Sequence, residues 1–305
     1  MQPIAQALTN CNMCPRQCGV NRTKGELGYC NTGSKPLVAS ITIHKGEEPA
    51  LSGSRGICNV FFAHCNLSCC FCQNHQISRN TKQSDQWLSD YEVITQRIIE
   101  ILDQGITILG FVSPTHQIPQ MVIIIEKLNL LGYRPRIVYN TNCYDSPNTL
   151  RLISDYVDIY LPDIKYIDNA LASKYSDAPS YSYHAVKALR EMLWQKGTSL
   201  TIDKNGIVEQ GVIVRHLVLP GHTTDSIRVI RELNEISNRI TISLMSQFTP
   251  SSDESNCISR TLTPKEYETV IKEMESLGFH RGWIQNMESN SYYLPNFSKK
   301  NPFKE

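Results

Sequence analysis

Four cysteines share one short stretch, Cys65-Asn-Leu-Ser-Cys69-Cys70-Phe71-Cys72, and three of them, Cys65, Cys69 and Cys72, are spaced by three residues and then by two. Thiolates held this way on one loop can meet three corners of an iron–sulfur cubane. A closed zinc site or a saturated cluster requires a fourth local ligand. The segment therefore predicts a 4Fe–4S cluster with one iron open to a substrate or cofactor, which is what a catalyst needs. The bland alternative is a zinc knuckle or plain packing, since free cysteine often behaves as a small buried apolar residue. Cys70 is expected to pack or point away, because adjacent cysteines cannot easily both bind one cubane.

A second set, Cys11-x2-Cys14-x3-Cys18-x11-Cys30, offers four thiolates at ligand spacing in a glycine-rich segment. This is a complete donor set for zinc or for a second 4Fe–4S cluster. Bound metal would staple a segment too poor in apolar residues to fold alone. Cys58 is a candidate substitute for one of the four, whereas Cys143 and Cys257 read as packing residues. Nine of the eleven cysteines lie between Cys11 and Cys72. Such clustering argues for ligation over disulfides and for a reducing compartment, hence a cytoplasmic protein.

The elements that must position these thiols are legible in the hydrophobic pattern. Residues 1–56 are rich in Gly, Asn, Pro and Cys and read as a loop-rich cap with one strand at Leu37–His44. From Ile57 onward, short β-branched runs alternate with segments of helical period. Strands are predicted near Cys58–Ala63, Ile106–Val112, Arg136–Thr141, Val157–Leu161, Val212–Leu219, Thr241–Gln247 and Gly282–Ile284. Ser89-x-x-Glu92 reads as a capping box opening a helix that ends at Gly105. Pro119 suits the first turn of a helix running to Gly132. Thr263-Pro264-Lys265-Glu266 opens another, closed by Gly278, and Tyr181–Lys196 also reads as helix. The alternation implies parallel strands with right-handed crossovers, in an open sheet or a barrel. The expected organisation is a metal-binding region at 1–56, an α/β catalytic unit at 57–290 and a tail at 291–305.

Composition excludes little chemistry but several settings. With 30 basic and 29 acidic residues among 305, no field draws nucleic acid or an anionic membrane. Apolar runs such as Met121–Ile125 fall far short of the ~20 residues that span a bilayer. The opening MQPIAQALTN lacks a basic start and an apolar run, so no secretory signal is read there.

The motif C-x3-C-x2-C, with an aromatic before its last cysteine, resembles the signature of the radical S-adenosylmethionine (SAM) superfamily. Its continuation through Gln73-Asn74-His75 resembles the activating-enzyme branch. FVSPTH (111–116), VYNTN (138–142), VDIYLPDIKY (157–166), KYSDAP (174–179) and VRHLVLPG (214–221) resemble one subgroup. These are uncharacterised iron–sulfur proteins homologous to pyruvate formate-lyase activating enzyme. The likeness runs roughly from Cys11 to Pro250 and implies an incomplete (β/α)6 TIM-type barrel, with the cluster loop after its first strand. It further implies that Cys65, Cys69 and Cys72 hold the cluster and that flavodoxin or ferredoxin reduces it. SAM then binds the open iron and is cleaved to methionine and a 5′-deoxyadenosyl radical, which abstracts hydrogen from a substrate.

The resemblance also suggests residues around SAM. Asp163-Ile164-Lys165 matches the Asp-x-Lys of glycyl-radical activases that lies near SAM; a structural ion pair is the plainer reading. Asn140, Thr141 and Asn142 could serve the ribose or the amino-acid end, or simply form a turn. Of Arg215 and His216, one must face the barrel interior and the other the helix layer; His216 is the candidate cofactor contact. Where many radical SAM enzymes carry Gly-Gly-Glu, this chain has Ser113-Pro114-Thr115-His116, so Thr115 and His116 are candidates to receive the SAM ammonium. The expected substrate is the glycine of a glycyl-radical enzyme. The alternatives are a small molecule or peptide side chain and, more remotely, a non-catalytic iron–sulfur electron carrier.

Overall fold

The computed structural model describes residues 4, 6–250, 257–291, 294–299 and 301–303. Its centre is one curved sheet in the order β1-β2-β3-β4-β5-β7-β8-β9. The strands are β1 Val38–His44, β2 Ile57–Phe62, β3 Ile108–Val112, β4 Arg136–Thr141, β5 Ile159–Pro162, β6 Thr201–Ile202, β7 Val208–Leu217, β8 Thr241–Met245 and β9 Gly282–Ile284. From β2 to β9 the neighbours along this order are all parallel, while β1 runs antiparallel to β2. The sheet ends at β1 and β9 and does not close on itself. This is the partial barrel expected from the sequence.

Parallel strands covered on both faces need apolar side chains on both, and β2 (ICNVFF) is buried at every position. One set of side chains meets the helices, including Val60, Phe111, Tyr139, Tyr160, Val214 and Leu244. The alternate set, Ile57, Ile108, Val138, Ile159 and Ile213, turns inward around Leu51. Leu51 belongs to a single helical turn, Pro49–Ser52, that plugs the barrel at the N-terminal ends of the strands. Above the plug, a Cβ at Gly110 would strike the Asn59 carboxamide, so the missing side chain leaves Asn59 room inside the barrel. On the side towards β1, Phe297 and Phe303 lie against Phe61, with ring centroids 5.3 and 5.7 Å away.

Several boundaries differ from the pattern, each for a local reason. The helix predicted from Ser89 starts at Tyr91, and Asp90 caps it, its carboxylate accepting from the amides of Glu92 (2.7 Å) and Val93 (3.3 Å). A carboxylate at that place also complements the helix dipole. The Thr263 capping box is present in both directions, and Tyr181–Lys196 is helical as read. β7 begins at Val208 rather than Val212, because a hairpin around Asn205-Gly206 pairs it with β6. Helices at Asn169–Ser176 and Thr223–Ile236 complete the crossovers.

The expectation for Cys257 is corrected: it is bonded to Cys70 in a disulfide, the Cα atoms 5.8 Å apart. Cys70 does turn away from the other cysteines of its loop, but towards a covalent partner. Sequence distance hid it, since 187 residues separate the two.

Candidate active site

The chain leaving β2 enters the cysteine loop at the C-terminal ends of the strands, the end where β/α barrels gather their reactive groups. His64 turns the chain there with φ of 68°. Each sulfur of the triplet meets hydrogen-bond donors. Cys65 Sγ accepts from the Leu67 amide and from Asn142 Nδ2, both at 3.4 Å. Ser176 Oγ donates to Cys69 Sγ at 3.1 Å, and Ser78 Oγ to Cys72 Sγ at 3.2 Å. Donors placed this way stabilise sulfur as thiolate. Burial first, then the neighbouring Cys69 and Cys72, push the Cys65 thiol up to about 12, against the Leu67 amide and Lys165. Burial likewise raises Cys69, against the pull of Lys165. Ligation to iron would supply the missing positive charge. Among the described residues no three His, Cys, Asp or Glu side chains converge as one metal ion requires. A cubane places a different iron behind each sulfur, so a wider triangle suits it.

The loop is gripped from outside. The Cys65 amide donates to Asn80 Oδ1 at 3.0 Å, and Asn80 Nδ2 donates to the Tyr29 carbonyl at 2.9 Å. Arg16 Nε donates to the Asn66 carbonyl at 3.0 Å, with its guanidinium 3.5 Å over the Tyr29 ring. The Ser68 and Cys70 amides donate to the carbonyls of Ser176 and Tyr175. Arg16 and Asn80 carry no motif, and sequence reasoning missed both.

The residues predicted around SAM divide into two groups. Asp163 and Lys165 share an ion pair of 2.8 Å just past β5. Burial opposes the Lys165 charge, but Asp163 and the nearby sulfurs of Cys69 and Cys72 hold its pKa above the ordinary range. Asp163 Oδ1 is buried with no partner. Asn142 binds Cys65 Sγ and also Asn66 Oδ1 at 2.8 Å, which makes it a support of the cysteine loop. Asn140 faces the barrel cavity. These four gather at the loop.

Thr115, His116 and His216 each bond to the barrel wall. Thr115 Oγ1 donates to Asp145 at 2.8 Å, in a buried knot with Thr141 and Tyr139. Burial raises the Asp145 carboxyl, while those three hydroxyls oppose the rise. His116 Nε2 meets the Ala63 carbonyl at 2.9 Å, and burial lowers its pKa to about 3. His216 shares its side of β7 with Val214 and faces the helix layer, its Nδ1 2.7 Å from the Ile164 carbonyl. Burial lowers its pKa to about 4. The inward position belongs to Arg215, which the same alternation assigns to the barrel interior. Thr115 thus spends its hydroxyl on the wall, whereas His116 Nδ1 and His216 Nε2 are buried without a partner, and His216 lies within electrostatic reach of Lys165 and Asp163.

The N-terminal cysteines form a knuckle. The Gly19 amide donates to the Cys11 carbonyl, and the Cys11 amide to that of Val20. Arg22 Nη2 donates to Cys30 Sγ at 3.3 Å and its Nη1 to the His116 carbonyl at 2.7 Å. The Tyr29 amide donates to Cys18 Sγ at 3.4 Å. Burial raises the Cys14 thiol to about 12, and Cys30, Cys11 and Cys18 add to the rise. Cys14 thus lies within electrostatic reach of the other three thiols, and Cys11 within reach of Cys30. Cys58 is buried in β2, with burial alone raising its thiol, and does not join them.

Between the cysteine loop and the plug lies a cavity of about 560 Å³, reaching from Gln73 and Asn74 down to Glu47 and Glu48. That volume is in the range of small-molecule sites. Its floor is charged: Arg215 Nε and Nη2 donate to both oxygens of Glu48 at 2.7 and 2.8 Å, and Nη2 also pairs with Glu47. Asn59 Nδ2 donates to Glu47 at 2.8 Å. Burial works against the Glu47 charge, yet Arg215, His44 and Asn59 hold its pKa down to about 2.

An open parallel barrel with a three-cysteine loop at its mouth defines a class, and comparison with known proteins agrees with it. The family model for the radical SAM superfamily matches residues 59–233, more than half of the chain, and the chain belongs to that superfamily. Membership implies a 4Fe–4S cluster and SAM as cofactors. Uncharacterized protein MJ0674 of Methanocaldococcus jannaschii is 27% identical over 276 residues, which is 87% of this chain and 74% of that protein. Streptococcus suis SuiB bound to S-adenosylmethionine superposes with a TM-score of 0.52 at 10% identity, over 77% of this chain and 53% of that one. The FeFe-hydrogenase maturase HydG from Carboxydothermus hydrogenoformans gives 0.51 at 11%, over 74% and 52%. The chain spans about half the length of these two solved enzymes, and the likeness to them is one of fold. Among the described residues no helix is long and apolar enough to cross a membrane.

Proposed function

We propose that this chain cleaves SAM reductively, with Cys65, Cys69 and Cys72 as the thiolate ligands of a 4Fe–4S cluster. When bound, the cluster supplies the electron that breaks the sulfonium C–S bond and yields a radical able to take hydrogen from a substrate. The observation that carries the reading is the triplet of cysteine sulfurs at the barrel mouth, each met by an N–H or O–H donor. The donor set fits the group: three ligands and no fourth on the loop, because Cys70 is spent on Cys257.

The surrounding residues do the positioning. Asp163, with an unused buried oxygen, is suited to receive the ammonium of SAM, and Lys165 beside it to receive the carboxylate. Asn140 offers a donor and an acceptor from the cavity wall. The buried walls keep water from the reacting centre. Cys11, Cys14, Cys18 and Cys30 would hold a second 4Fe–4S cluster that staples the N-terminal knuckle, since their sulfurs do not converge as a single zinc ion requires. The electron donor would be a flavodoxin or ferredoxin. For the substrate, the leading reading is the glycine of a glycyl-radical enzyme; a small molecule or peptide side chain is the second, favoured by a barrel cavity of about 560 Å³.

The test is anaerobic reconstitution with iron and sulfide, followed by SAM and dithionite, with release of 5′-deoxyadenosine as the readout. Protein that stays colourless, or releases none, removes the proposal. Asp163→Ala is expected to raise the dissociation constant for SAM by roughly 10- to 100-fold, matching the loss of a charge-assisted contact worth about 1.5–3 kcal/mol. The cluster's visible absorption should be unchanged. An unaltered SAM affinity would take Asp163 out of the site.

A further inference from the structure

The floor of the barrel cavity carries more negative than positive charge, and none of the contacts above explains why. Glu47 and Glu48 share one guanidinium, with side-chain exposures of 7%, 5% and 13% for Glu47, Glu48 and Arg215. Little water reaches them to screen the surplus carboxylate. Lys45 also borders the cavity but is exposed to solvent, where its charge is damped. Lys165 is already paired with Asp163.

A second observation comes from His44, three residues before Glu47. It lines the same cavity, is only 8% exposed, and its Nδ1 is buried without a partner. Burial lowers its pKa, against the pull of Glu47 and Glu48, and with the proton on Nε2 the ring offers a lone pair at Nδ1. A buried polar atom left without a partner is costly, and a ligand would relieve that cost. Three aromatic rings, Phe61, Trp283 and Phe303, also border the space, with the Phe303 ring centroid 4.0 Å from that of His44. A metal ion is not what the group fits, since among the described residues no three such ligands converge.

Surplus carboxylate, an idle imidazole nitrogen and aromatic faces are together the surroundings that hold an organic cation. We propose that His44, Glu47 and Glu48 form a subsite for an alkylammonium group of the substrate, at the end of the cavity away from the cysteine loop. The Arg215 fork holds the two carboxylates apart and in register, Asn59 fixes Glu47 from the other side, and an anionic substrate end is turned away. The proposal rests on the barrel cavity being the substrate cavity. It assigns the class of substrate as an amine, whether free or at the end of a lysine-like side chain.

The experiment needs neither cluster nor SAM, so its failure is distinct from failure of the radical chemistry. The purified chain is titrated with n-butylammonium, n-butanol and butyrate, following Trp283 emission in a Trp87→Phe/Trp194→Phe background and saturation-transfer NMR. The ammonium is expected to bind at least about tenfold more tightly than the alcohol, with butyrate weakest, because buried charge pairing adds more than about 1.4 kcal/mol. Glu47→Gln and Glu48→Gln should each remove that preference. Butyrate or butanol binding as well as butylammonium to the parent protein overturns the proposal, and this comparison needs no variant to fold. Unchanged cation affinity in both folded Gln variants overturns it as well.

Discussion

Alanine at Cys65, Cys69 or Cys72, one at a time, is expected to end 5′-deoxyadenosine release from SAM and dithionite and to bleach the cluster's visible absorption. The loss should exceed the roughly 100-fold typical of removing a partner outside the ligand set, because two thiolates cannot retain a cubane that needs three. Cys143→Ala is the control. Cys143 is fully buried and its thiol donates to the Ala185 carbonyl at 3.4 Å, so its loss should leave colour and activity in place. Full activity in all three ligand variants would remove the assignment.

Arg215→Met is expected to cost stability more than any surface change. It leaves Glu47 and Glu48 buried with no cation, a loss of about 3–5 kcal/mol, or on the order of 10 °C in Tm. The sign with pH is fixed by Glu47, whose pKa is held down to about 2 against an ordinary 4.5. In the parent protein its contribution is complete above pH 4.5 and fades as pH falls towards 2. In the variant, burial without Arg215 raises the carboxyl, and protonation then relieves it. The Tm gap between the two proteins should therefore be widest near neutrality and narrow on acidification. A gap that is constant with pH would mean that lost packing, rather than unpaired charge, causes the drop.

The sequence revealed what periodicity and spacing can encode. β-branched runs located the parallel strands, and the Thr263 capping box and Tyr181–Lys196 stand where the pattern put them. The Cys65 triplet was readable because its geometry is local. Long-range pairing was not. Nothing local joins Cys70 to Cys257 or brings Glu47 to Arg215. Alternation along β7 required Arg215 and His216 to face opposite sides but left the assignment open. It was decided by Ile213 turning inward and Val214 turning to the helices. Nor does anything local predict that Thr115 spends its hydroxyl on Asp145 and His116 one ring nitrogen on the Ala63 carbonyl, partners that belong to other loops.

The grip of Arg16 and Asn80 on the cysteine loop changes what the first thirty residues are. By composition they resemble an appendage; by hydrogen bonding they are the outer jaw of a vice whose workpiece is the Cys65 turn. A displacement of Arg16 or of the Tyr29 carbonyl, each next to a cysteine of the knuckle or one residue removed, would thus be transmitted to the catalytic mouth without any side chain there being replaced.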